Sequence, residues 1–369
     1  MSLLFFEGFQ TIGTTFGQPS SAPIITDLQK RVAVNFTLPG TRPYLFDRGD
    51  GDYALAFKSN GTFIQTLAPP GYASDSVDAG PTTVIGFAWK SRSTTSNTEN
   101  IFESREGSTD QLFAGQGMQV RVTDSDTITI HRGGGSALAT AAGVITTNTW
   151  HYIEIKMFVA NSGGIFQVRV DGTQVINFSG DTRVSNITYA PTAFRFGLNA
   201  TSTTTTLTDG EFPIFDDIYI LDITGAVNND FLGVSMKVIS LPPLSDSTAE
   251  WTPSTGSDNY ALVDENPNDS ADYVEASAAA IDEYEVPNAA VSIVAGIKIE
   301  AEAFTTVAGS PVLHTRINSN NELAEAAHTV DNLTAEVFTQ YAEINPDGGG
   351  AWSQAPFNNV LAGMRYAAS

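Results

Sequence analysis

Acidic pairs are the most chemically suggestive feature of this 369-residue sequence. Asp216-Asp217 sits in the run 215–220, and Asp47-Arg48-Gly49-Asp50-Gly51-Asp52 spaces three aspartates as the start of a calcium loop does. Calcium takes about six to eight oxygens, so two carboxylates alone are too few. The twelfth position of the second run, where a calcium loop places glutamate, is Lys58. Asp50, Asp52, Asp216 and Asp217 are the metal candidates, and calcium is the one cofactor they would take. The competing reading is structural, because aspartate caps backbone amides at turns and strand bends.

Other chemistries find less. Glycoside hydrolysis needs two facing carboxylates, one acid and one nucleophile. The strand-borne Glu-x-Asp-x-Glu run that supplies them in retaining glucanases is absent. Its nearest equivalents, Asp282-Glu283-Tyr284-Glu285 and Glu300-Ala301-Glu302, read as solvated acidic positions. His131-Arg132-Gly133-Gly134-Gly135-Ser136 lacks the lysine and following helix of a phosphate loop and reads as a hairpin. His131, His151, His314 and His328 show no metal-binding spacing, and His151 is expected to be packed or hydrogen-bonded within a strand. No serine occupies a Gly-x-Ser-x-Gly elbow. Trp89 and Trp150 fall in strand patterns and are expected in the core. Trp251 and Trp352, flanked by turn residues, are the candidates for stacking on a sugar. No catalytic residues emerge, and the expectation is a protein without enzymatic activity.

Composition narrows the partners. Eighteen basic against 41 acidic residues give a formal charge of −23, which disfavours nucleic acid and anionic membranes. Residues 1–235 carry a net −8 and residues 236–369 a net −15. There are no cysteines, hence no disulfides or thiolate metal sites. The opening Met1-Ser2-Leu3-Leu4-Phe5-Phe6-Glu7 lacks the basic start and apolar length of a signal peptide.

The elements that must position these residues are strands. Ile153, Ile155, Met157 and Val159 alternate with Glu154, Lys156 and Phe158, and Phe166, Val168 and Val170 repeat the pattern. Asp171-Gly172 predicts a tight hairpin into 175–178. Further strands are expected at 83–90, 118–122, 127–131, 193–198 and 215–221. The spacing predicts an all-β jelly-roll sandwich over 1–235. A smaller β-rich domain over 236–369 follows the stiff Leu241-Pro242-Pro243-Leu244. There Val291, Ile293, Ile297 and Ile299 alternate, and short helices are expected within 323–327 and 351–362.

Trp150-His151-Tyr152-Ile153-Glu154, then Val168-Arg169-Val170-Asp171-Gly172, then Phe215-Asp216-Asp217-Ile218-Tyr219 together resemble the concanavalin-A-like, or laminin-G-like, jelly roll. The opening Phe5-Phe6-Glu7-Gly8-Phe9 is similar to its first strand, which in that fold pairs beside the last. Asn228-Asn229-Asp230-Phe231-Leu232-Gly233, Trp251-Thr252-Pro253-Ser254-Thr255-Gly256 and Tyr260-Ala261-Leu262-Val263-Asp264-Glu265 extend the string. The whole resembles virion structural proteins of tailed bacteriophages. That resemblance implies a capsid-decoration, fibre or tail component assembled in bacterial cytoplasm. It would bind other virion proteins, anchor through its C-terminal domain and form homo-oligomers, trimers by analogy. The alternative it leaves open is a glycan-binding module that attaches to host surface polysaccharide.

Overall fold

A computed structural model describes residues 3–10, 33–35, 44–49, 52–56, 63–67, 80–91, 98–106, 117–123, 126–184, 190–197, 213–265, 271–306, 309–331 and 333–367. The chain divides into two units: Ser2–Gly225 with Asn229–Val238, and Ala226–Asn228 with Ile239–Ser369.

The first unit is a sandwich of two antiparallel sheets. One is eight-stranded, in the order β13(Thr173–Gly180), β12(Gly164–Val170), β11(Trp150–Phe158), β6(Thr83–Lys90), β15(Ile214–Asp222), β4(Asp52–Ala56), β3(Tyr44–Gly49). Its eighth strand, β1(Leu3–Glu7), also pairs with β15, so the first strand does lie beside the last of this unit. The other sheet is seven-stranded, in the order β10(Ala137–Ala141), β9(Thr127–Arg132), β8(Met118–Thr123), β7(Glu99–Glu106), β14(Pro191–Gly197), β5(Phe63–Leu67), β2(Ala33–Asn35). The all-β jelly-roll-like sandwich expected from the alternation is thus present.

The interior comes from that alternation. Ile153, Ile155 and Met157 of β11 meet Val120, Ile128 and Ile130 of β8 and β9 in one buried cluster. Phenylalanines join the sheets: Phe87 of β6 lies edge-on to Phe196 of β14, ring centroids 5.4 Å apart, and 5.7 Å from Phe215 of β15. Asp171 and Gly172, at φ 49° and 78°, turn β12 into β13 as their chemistry predicts. Trp89 is core, fully buried. Trp150 is not: it lies half-buried on the outer side of its sheet, with the Arg48 guanidinium 4.3 Å from its ring centre.

In the second unit a five-stranded sheet runs β16(Ser245–Ala249), β19(Ala280–Glu285), β24(Val360–Ala367), β21(Val312–Ser319), β22(Glu322–Thr329). Two hairpin pairs accompany it, β17(Thr252–Pro253) with β18(Val274–Glu275) and β20(Ile297–Ala303) with β23(Glu336–Ala342). One helix expectation is corrected here and one is met. Residues 323–327 lie within β22, where pairing along β21 overrides the helix propensity of their alanines. Within 351–362 the expected short helix does form, as the single turn Gln354–Phe357, before β24 begins.

Because Phe87 is fully buried between both sheets, Phe87→Ala is expected to destabilise the first unit by about 3–5 kcal/mol. Urea unfolding followed by tryptophan fluorescence checks it; a change under 1 kcal/mol would contradict this packing.

Candidate functional site

In the seven-stranded sheet Phe102, Met118, Val120, Ile128, Ile130, Phe194 and Phe196 point into the core. Strand alternation therefore sends Gln65, Glu103, Arg105, Gln119, Arg121, Thr129, His131 and Arg195 to the opposite face. Register then does what sequence spacing does not. Gln65, Arg195, Glu103, Gln119 and His131 lie directly opposite one another on β5, β14, β7, β8 and β9. With strands about 4.8 Å apart, this single polar row runs about 19 Å across the sheet.

The row is linked from side chain to side chain. Arg195 Nη2 donates to Gln65 Oε1 at 3.2 Å, and Arg195 Nη1 lies 3.5 Å from Glu103 Oε2. Arg105 Nε lies 3.4 Å from the same carboxylate oxygen. Gln119 Nε2 donates to Glu103 Oε1 at 3.1 Å, and Arg121 Nε donates to Gln119 Oε1 at 2.8 Å. Glu103 and Arg105 are each 1% exposed, whereas Arg121 and His131 are partly exposed. These side chains bring two guanidiniums, Arg105 and Arg195, against one carboxylate, with Arg121 one side chain further on through Gln119.

His131 closes the row as a neutral imidazole. Its Nδ1 lies 3.0 Å from the Gly135 carbonyl, an acceptor only, so Nδ1 carries the proton. Nε2 then accepts from the Thr129 hydroxyl at 2.9 Å. Burial pushes the His131 pKa below the ordinary imidazole value; the nearby Arg121 charge adds to this, and the Gly135 bond opposes it. Burial likewise lowers Arg105 and Arg121, with Glu103 pulling the other way.

The residues singled out from sequence lie elsewhere. Asp216 and Asp217 are on the outer side of the eight-stranded sheet, at a bulge where Asp217 takes φ 49°. The bulge turns both carboxylates toward Arg48, which pairs with Asp216 and, at 2.9 Å, with Asp217. Asp217 Oδ1 also accepts the Val238 amide at 2.9 Å. A guanidinium held between two carboxylates opposes a divalent cation there. Asp50 lies outside the described residues, and of Asp52 only its place at the start of β4 is described. Trp251 is partly exposed. Trp352 is not a stacking surface: it is 4% exposed, and its indole donates to the Ala342 carbonyl at 2.9 Å. His151 is hydrogen-bonded in its strand, Nδ1 2.7 Å from Asp171 Oδ2, with the Thr146 amide on Nε2 at 2.9 Å. The run 131–136 forms the β9–β10 hairpin as expected.

No protein-family model matches the chain, and neither does any curated protein. Solved structures do. It is similar to an endo-β-1,4-glucuronan lyase from the fungus Trichoderma reesei: 14% identity, 60% of this chain against 96% of that one, TM-score 0.37. The alginate lyase Aly36B matches at 13% identity over 59% and 96% of the two chains, TM-score 0.39. The carbohydrate-binding module CBM66 from Bacillus subtilis matches at 15% identity over 52% and 96%, TM-score 0.32. Likeness at this level goes no further than the β-sandwich. It does correct the expectation of a protein without enzymatic activity: two of these sandwiches are lyases, so a missing Glu-x-Asp-x-Glu run excludes no catalysis. The resemblance to virion proteins has no counterpart among the structures named and rests on the sequence strings.

Two outcomes follow. Glu103→Gln takes from Arg105 and Arg195 the carboxylate they share, and is expected to cost about 3–5 kcal/mol in denaturant unfolding; an unchanged midpoint would remove Glu103 as the centre of the row. In an NMR titration His131 is expected to protonate below about pH 6.5, the ordinary imidazole value. The folded imidazole holds its proton less tightly than the unfolded one. Its contribution to stability is therefore complete above that pH and is lost as pH falls through the lower native value.

Proposed function

We propose that the sandwich binds an acidic, uronate-bearing polysaccharide on the outer side of its seven-stranded sheet, through Arg195, Arg121 and His131, which are partly exposed while Gln65, Glu103 and Gln119 behind them are buried. The in-register row from Gln65 to His131 carries this reading. A face needing only packing is served as well or better by apolar residues, since buried ion pairs contribute little net stability. A row of guanidiniums and amides instead matches a polymer that presents a carboxylate on each ring and hydroxyls between. Arginine takes a carboxylate through two parallel N–H bonds, and glutamine offers both a donor and an acceptor to hydroxyls. Glucuronan and alginate, the polymers of the two lyases, are of this class.

A second reading adds chemistry to the same row, because a neutral His131 lies beside Arg121. β-Elimination needs those two functions. A cation neutralises the sugar carboxylate, and a base removes the proton from the carbon next to it. The bond from the neighbouring ring carbon to the linking oxygen then breaks, a carbon–carbon double bond forms, and the departing oxygen takes up a proton.

One experiment addresses both. Purified chain is titrated by calorimetry with alginate, glucuronan and neutral dextran, while ultraviolet absorbance follows any unsaturated product. The acidic polymers are expected to bind and dextran not to. Arg121→Ala, at a partly exposed position, should weaken binding about tenfold or more, as loss of one charge-assisted hydrogen bond predicts. Equal binding of dextran, or no binding of either acidic polymer, overturns the proposal. For elimination, His131→Ala should abolish the absorbance rise with binding retained; no rise with the native chain removes the second reading alone.

A further inference from the structure

The second unit carries a polar cavity of about 420 Å³ at one end of its five-stranded sheet. Six asparagines line it: Asn288, Asn318, Asn320, Asn321, Asn358 and Asn359. They converge because Asn318, next to last in β21, lies opposite Leu361 of β24, the β21–β22 turn follows Ser319, and Asn358 and Asn359 immediately precede β24. Asn320 and Asn321, at φ 52° and 69°, are accounted for by that turn, whose left-handed positions favour asparagine. The other four have no such backbone reason.

The lining is built, not incidental. Asn318 is 9% exposed and fixed on both sides of its amide. Its Nδ2 donates to Glu283 Oε1 at 3.2 Å, and its Oδ1 accepts the Asn321 amide at 3.0 Å. Asn358 Oδ1 is buried without a hydrogen-bond partner. Val286 and Leu244 add a small apolar part.

Elimination by chemistry leaves one ligand class. The single charged side chain in the lining is Glu285, a carboxylate, so an anion would be repelled with no cation to receive it. One carboxylate is too few for a metal ion. An apolar ligand would strip water from six amides and return no hydrogen bonds. A hydroxyl donates and accepts at once, as an asparagine amide does, and ring C–H surface suits Val286 and Leu244. The volume lies within the roughly 300–1,000 Å³ of small-molecule sites. We infer that this cavity binds a neutral sugar residue of a glycan. The inference is independent of the acidic polymer proposed for the sandwich, and the two ligands differ in charge, one anionic and one neutral.

The test uses the full chain and neutral tetrasaccharides of glucose, mannose, galactose and N-acetylglucosamine as probes, read by saturation-transfer NMR and then calorimetry. At least one is expected to bind. Asn288→Ala/Asn359→Ala, at two exposed positions, should weaken it tenfold or more with an unchanged circular dichroism spectrum and Tm. The same double variant should bind alginate as the native chain does, and Arg121→Ala should leave the neutral sugar unaffected. The inference is overturned if none of the four binds at millimolar concentration. Retention of native affinity by the double variant overturns it equally, since the sugar would then sit elsewhere. Loss of neutral-sugar binding in Arg121→Ala would also overturn it, by assigning the sugar to the sandwich.

Discussion

A carboxylate removed from water has to be met by positive charge or hydrogen-bond donors, and Glu103 organises the sandwich's polar face through that requirement. At 1% exposure it holds Arg105, Arg195 and Gln119 around one side chain. The core beneath is apolar and joined by phenylalanines, so it sets the spacing and register of the strands. Register then fixes where Glu103's partners must be. Each strand contributes little by itself, and the face exists as a cross-strand property.

The eight-stranded sheet also carries buried charge on its outer side, yet it solves the problem differently. Glu154 Oε1 receives the Tyr219 hydroxyl at 2.7 Å and the Gly233 amide at 2.8 Å. The Leu232 amide donates to Tyr219, and the Val238 amide to Asp217. Phe231 lies under the Arg169 guanidinium, 3.9 Å from the ring centre. Burial together with the Glu154 charge raises the Tyr219 pKa well above the phenolic value, which keeps the hydroxyl a donor. That face is occupied by the chain's own segment Asn229–Val238, whose backbone supplies the donors. On the seven-stranded sheet the described links within the row run between side chains of neighbouring strands.

Much of the fold was legible in the sequence, because alternation is local. β6 spans Thr83–Lys90 as the pattern predicts, and β11, β12 and the Asp171-Gly172 turn follow from residues within a few positions. The site was not legible, for a physical reason. Glu103 and Arg105, Gln119 and Arg121, Thr129 and His131 each occupy i and i+2 of a strand, which alone describes any solvated strand face. Only pairing of Arg195 with Glu103, remote in sequence, makes them one row. Asp216-Asp217 drew attention because adjacent carboxylates stand out in a sequence, but a bulge resolves them into a pair around Arg48. Trp352 looked exposed from its turn-rich neighbours, and isolated bridges from Val294 to Trp352 and from Ile344 to Ala351 carry it into the second core instead.

A chain of net −23 repels an anionic polymer at long range, so steering cannot bring the two together. Attraction has to come from contacts made at the sheet itself, where low exposure weakens both solvent and salt screening. Added salt would screen the long-range repulsion while leaving close guanidinium–carboxylate pairs largely intact. Arginine suits that situation better than lysine, since its planar fork adds hydrogen-bond geometry to charge and is more weakly hydrated. This face has arginine at 105, 121 and 195 and no lysine among the described side chains named for it. An acidic ligand on an overall acidic protein would therefore depend on short-range contacts, and on this face the partly exposed Arg121, beside His131, is placed to make them.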